Sequence, residues 1–162
     1  MKISELFKMC LLQGHKVNLK EHIGIEGIFK LQVWEGDRLI EEIEDRNLIV
    51  NAGKETLAIL LASGNSNRVV TKIGFGTGTS NPVVGDTDLS NKFVKNLGTI
   101  SYPTQTSVRW EWSLESGEGN GLTITEYGLF TTNTTLFSRK VVGSIAKIAG
   151  VRLTGTWTIN FS

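Results

Sequence analysis

Cysteine, histidine and proline are scarce in this chain of 162 residues, which holds one, two and two of them respectively. Cys10 alone cannot close an internal disulfide, so the chain suits a reducing cytoplasm. With only His15 and His22 beside it, no spacing builds a structural zinc site, and neither a metal nor another cofactor is expected. Long apolar runs are missing too. No stretch approaches the roughly 20 apolar residues of a membrane span, and Glu5 stands where a signal peptide would carry its apolar core. Nor is there an excess of charge, since 17 basic residues face 16 acidic ones. A basic footprint is therefore lacking, and neither nucleic acid nor a membrane is expected as a partner.

What is present divides at residue 22. In "KISELFKMCLLQG", Ile3, Leu6, Phe7, Cys10 and Leu11 recur at helical spacing, Ser4 can cap the start and Gly14 can end it. Residues 1–22 read as an N-terminal amphipathic helical arm with a nonperiodic linker. Lys2, Lys8, Lys16 and Lys20 against Glu5 and Glu21 give this arm a net charge of +2, which leaves −1 for the remainder. Its apolar stripe is the candidate partner-binding surface.

Residues 23–162 read as one mainly β domain. Phe29, Leu31 and Val33 alternate with Lys30, Gln32 and Trp34, "EGD" turns the chain, and a second strand completes a hairpin. "NLIVNAGKETLAILLASGN" begins as a strand and continues as a short internal helix, with Asn51 as cap, Leu57, Leu60 and Leu61 at helical spacing, and Gly64 as stop. Later runs are short and broken by Gly, Asn, Ser or Pro. Val108, Trp110, Trp112 and Leu114 share one strand face, as do Val151, Leu153, Trp157, Ile159 and Phe161. About eight such strands predict an antiparallel β-sandwich of the jelly-roll type.

Candidate chemistry begins with "KIGFGTGTSNPVVGDTDL", where Gly74, Gly76 and Gly78 follow a strand as a phosphate loop would. The spacing is G-x-G-x-G, lysine is missing from "GTGTSNP", and Pro82 follows at once, so neither a dinucleotide fingerprint nor a P-loop is matched. The stretch reads instead as an ordered loop in which glycines permit positive φ or close backbone approach, with Pro82 and Asp86 among its fixed points. Asp86 and Asp88 lack the further ligands of a calcium loop. Glu41, Glu42, Glu44 and Asp45 could pair as glycosidase carboxylates, yet consecutive strand residues face opposite ways. Trp34, Trp110 and Trp112 could form a sugar platform, but the shared apolar face of the latter two assigns them to the core. Cys10 lies on the arm's apolar stripe and reads as a small hydrophobe, not a nucleophile. No catalytic activity is expected.

Three phrases carry a resemblance: "EDRNLIVNAGKETLAILLASGN", "VVTKIGFGTGTSNPVVGDTDL", and "GLTITEYGLFTTNTTLFSRKVVGSIAKIAGVRLTGTWTINF" with its "EYGLF" and "LFSR". In this order they resemble small virion structural proteins of tailed bacteriophages, over about residues 45–161. The resemblance implies an assembly protein located in the virion and made in the bacterial host cytoplasm. The expected role is a capsid cement or decoration protein, with a tail or baseplate component as alternative and a carbohydrate-binding module as the second alternative. Expected partners are the major capsid protein, or tail proteins, and further copies of the chain in a dimer or trimer.

Overall fold

Period-2 alternation starts the fold. A computed structural model describes residues 22–162, so the helical arm, including Ile3, Leu6, Phe7, Cys10 and Leu11, lies outside the described residues. Strand β1 (Ile25–Glu35) buries Phe29, Leu31 and Val33 and turns at Gly36, whose φ of +57° suits glycine. Strand β2 (Arg38–Ile49) returns as the expected hairpin. Helix α1 (Asn51–Ser63) follows, then a 3-10 turn (Ser66–Arg68) and β3 (Val70–Gly76). Short strands β4 (Phe93–Asn96) and β5 (Ile100–Ser101) precede β6 (Ser107–Leu114), β7 (Thr123–Thr131), β8 (Leu136–Ala146) and β9 (Val151–Phe161).

These nine strands form one antiparallel sheet in the order β4-β3-β7-β8-β2-β1-β9-β6-β5. Strand β2 joins its two halves: it pairs with β1 along its length and with β8 only through Leu48↔Arg139 and Ile49↔Ser138. The mainly β, antiparallel expectation holds. The ladder is a single curled half-barrel, however, and does not divide into the two separate sheets of a sandwich or jelly roll. The sheet ends are sequence neighbours, because β4 and β5 are joined by three residues. There the Leu97 amide donates to Thr71 O on the β3 side and the Gly98 amide to Glu111 O in β6, so this short link spans the gap.

Curling brings the apolar faces together. Phe29 stacks on Trp112 at 5.6 Å and meets Tyr127 and Trp157 at 4.9 Å, while Phe75 meets Trp112 and Tyr127 at 5.7 Å. Aromatic pairs at these spacings contribute beyond their buried area. Room for the Trp112 indole comes from the opposing strand: a Cβ on its register partner Gly155 would lie 2.5 Å from Trp112 Cζ2 and 1.9 Å from Lys30 O.

Helix α1 departs from expectation at two positions. Its cap is Val50, held by backbone alone, while Asn51 is the first helical residue and its amide donates to Val84 O at 2.8 Å. A buried, extended Val50 leaves the Asn51 side chain outside the capping position. Leu57 and Leu60 are half-buried, but Leu61 is 91 % exposed, since the helix approaches the sheet through Gly53. A Cβ there would stand 2.1 Å from Phe137 O. Gly64 ends the helix in the left-handed region as expected.

Two outcomes follow for stability. Trp112→Ala should cost about 3–5 kcal/mol by chemical denaturation, the range for deleting a buried aromatic side chain. The second concerns Lys147, which is fully buried and donates to Asn120 Oδ1 at 2.9 Å. Burial lowers its pKa below the ordinary 10.5. The unfolded chain then binds more protons than the folded one, so this group makes stability rise with pH up to about 10.5. Melting temperatures recorded over that alkaline interval should rise less steeply for Lys147→Met.

Candidate functional site

Two charged residues sit where strand patterning calls for apolar ones. Glu126 in "TITEYGLFT" and Arg139 in "LFSRK" fall on the neighbouring strands β7 and β8, 13 residues apart in sequence. Both are buried, Glu126 completely, and Arg139 Nε donates to Glu126 Oε2 at 2.8 Å. The other oxygen, Oε1, accepts the amides of Gly78 and Ser90, each at 2.7 Å. Arg139 spends its remaining donors on Asp86 Oδ2 at 2.8 Å and Ser80 O at 3.1 Å. Burial opposes the guanidinium charge, but Glu126 and Asp86 outweigh it and raise the Arg139 pKa further. A buried carboxylate and guanidinium hold their charge only when hydrogen-bonded in this way.

The glycine-rich loop is thereby explained. Residues 77–92 leave β3, pass over the outer face of β7 and return to β4, and several anchors of this excursion reach the ion pair. Gly76 and Gly78 do not adopt positive φ. They are glycine because a Cβ would meet Glu126 Oε1 at 2.6 and 2.5 Å. Gly74 and its register partner Gly128 leave a trough for the Phe130 ring and Leu89. Close approach, the second of the two expected reasons, is the operative one. The Thr125 hydroxyl donates to Gly78 O at 2.8 Å, and the Val83 amide donates to Asp86 Oδ2 at 2.9 Å. Pro82 is half-buried within this loop, and Val84 O receives the Asn51 amide, docking the loop on α1.

Chemically this constellation is a holding network. Both Glu126 oxygens are engaged, and the glutamate is shut from solvent. Asp86 and Asp88 diverge: Asp88 accepts from the Leu89 amide and pairs with Lys92, while Asp86 belongs to Arg139. Among the described residues no group of three or more His, Cys, Asp and Glu side chains could hold a metal ion. The acidic run of β2 is likewise split. Glu42 and Glu44 pair with Lys30, whereas Asp45 pairs with Lys140. The Gln32 amide and the Lys30 ammonium hold Glu42 below its ordinary range.

The tryptophan trio separates as well. Trp110 and Trp112 are 7 % and 3 % exposed and line the core. Trp34 stands on the opposite face of the sheet, where its Nε1 donates to Thr154 Oγ1 at 2.9 Å and Arg152 lies 5.2 Å from its ring. Sequence reasoning missed the Glu126–Arg139 pair. The usable signal was a charge inside each of two successive β-runs, Glu126 in "TITEYGLFT" and Arg139 in "LFSRK".

No protein-family model, curated protein or solved structure matches the chain.

Removing one member of the pair strands a buried charge. Glu126→Gln and Arg139→Gln should each cost about 3–5 kcal/mol, and the double variant should cost clearly less than their sum. A double-mutant cycle by chemical denaturation measures this coupling. Gly78→Ala should be destabilising by about 1–3 kcal/mol through overpacking against Glu126 and should expose residues 79–85 to limited proteolysis.

Proposed function

We propose that this chain is a virion structural protein of a tailed bacteriophage, a capsid cement protein that bridges capsid subunits and has no catalytic role. One observation supports this reading above others: the phrases that carry the resemblance converge on the same buried network. "NLIVNAGKETL" supplies Val50 and Asn51, "GFGTGTSNPVVGDTDL" supplies the glycines and Asp86, "EYGLF" supplies Glu126, and "LFSR" supplies Arg139. The shared pattern therefore encodes a locked loop on a rigid sheet. That is the kind of requirement a load-bearing assembly unit imposes.

In this proposal the facing halves of the curled sheet act as the layers of a sandwich-like plug seated between capsid subunits. The arm supplies the adhesive contact, burying Leu6, Phe7 and Leu11 on the major capsid protein, in the stripe that Ile3 and Cys10 complete. Three such side chains contribute about 5 kcal/mol before ordering costs. Many copies then stabilise the shell because they bind only its assembled form. Further copies of the chain, in a dimer or trimer, complete the assembly. The second reading is a tail or baseplate component, which would use the same rigid body at a different address.

Cryo-electron microscopy of particles that carry the chain separates the two readings. Density repeating over the capsid lattice is the expected result, whereas density confined to the tail would select the alternative. Particles with no copy of the chain would overturn both. In co-sedimentation with particles lacking the chain, the full-length Leu6→Asp, Phe7→Asp variant should bind much more weakly with an unchanged melting temperature, because a carboxylate resists transfer into an apolar groove.

A further inference from the structure

The face of the sheet turned away from the core carries a second set of ordered polar groups. On β1, β9 and β6 the outward residues form cross-strand rows, Gln32–Thr154–Ser113 and Lys30–Thr156–Glu111. The first row is fixed in advance. Trp34 Nε1 donates to Thr154 Oγ1 at 2.9 Å, the Thr154 hydroxyl donates to Gln32 Oε1 at 3.3 Å, and Gln32 Nε2 donates to Glu42 Oε2 at 2.6 Å. The segment joining β4 to β5 walls this face and encloses a cleft of about 550 Å³. An adjoining cleft of about 540 Å³ runs towards Arg109 and Asn160, and the two share Lys30 and Thr156, which makes one groove across the sheet.

The lining selects the ligand. The charges that line the groove are three basic, Lys30, Lys95 and Arg109, and two acidic, Glu44 and Glu111. Lys30 is paired with Glu42 and Glu44, and Lys95 with Glu118. Among the described residues neither Arg109 nor Glu111 has an ion-pair partner, so with Lys30 and Lys95 neutralised the groove carries no net positive charge, which disfavours nucleic acid and phosphate polymers. Among the described residues, the side chains of Ser113, Thr156, Thr99 and Asn96 have no hydrogen-bond partner of their own, and each can both donate and accept. Fixed polar groups beside free hydroxyls and amides suit a neutral ligand dense in hydroxyls.

We propose that this groove binds a neutral, unbranched oligosaccharide, with Gln32 and Thr154 as the preorganised wall and Thr156, Ser113 and Asn96 as the groups that take up its hydroxyls. The inference stands apart from the assembly role, since it uses the sheet face and neither the arm nor the locked loop.

The test uses the full chain with cellohexaose, maltohexaose and chitohexaose as probes at about 10 mM, well above a millimolar dissociation constant, followed by nuclear magnetic resonance. At least one hexaose should shift the Gln32, Thr154 and Thr156 resonances. Gln32→Ala and Thr156→Val should each weaken that binding about five- to tenfold without lowering the melting temperature. Ser113→Ala serves as the further variant should either fail to fold. The proposal is overturned if no hexaose perturbs the groove, if all variants bind as the parent does, or if heparin competes more strongly than the neutral chains.

Discussion

A carboxylate sealed inside a protein is costly unless every lone pair it offers is engaged, and the Glu126 carboxylate imposes that requirement on the glycine-rich loop and on β8. Two amides of the glycine-rich loop and one guanidinium meet it. Satisfying Arg139 in turn draws in Asp86 and Ser80, and Asp86 orients Val83. The loop cannot lift without uncovering a charge, so an excursion of sixteen residues behaves as part of the core. Strand β7 is buried on both faces for the same reason, with the aromatic core on one side and the loop on the other.

Glycine acts here mainly by leaving space. The Gly74–Gly128 pair leaves a trough for Phe130, Gly76 and Gly78 admit the Glu126 carboxylate, Gly53 lets α1 touch the β8 backbone, and Gly155 admits Trp112. Each pairs one missing side chain with one large or charged group, so the two halves of the curled sheet close around few voids. Substituting the glycine or its guest would therefore disturb the same contact.

Much of this fold was legible in the chain. Strict alternation in β1, β6 and β9 located the core residues, because a sheet buried on one face shows its period directly. β7 gave no such clue, because its threonines, glutamate and glycine read as a solvated face although both faces are covered. The helix was visible, whereas its cap was not: Asn51 has the preferred chemistry, but Val50 is held in the capping position by burial. The arrangement of strands was out of reach for another reason. Whether β2 closes one sheet or separates two depends on two register pairs with β8, which no local pattern records. The loop was legible as ordered, while its cause lay some fifty residues away in Glu126.

The same closure explains where binding surfaces can lie. A sheet of nine strands has two edges, and both are short: β4 has four residues and β5 two, with the link between them bonded to each side of the gap. Short, bridged edges give little purchase for strand addition by other chains. Interior faces are filled by aromatic rings, and the outer face of β7 is roofed by the loop. Among the described residues no segment roofs the outer face of β1, β9 and β6, which keeps its polar groups in fixed rows. Strand pairing and the Trp34–Thr154–Gln32 hydrogen bonds hold those groups in register. In the proposed binding a ligand would find these partners already placed, so that the entropy lost would fall chiefly on the ligand.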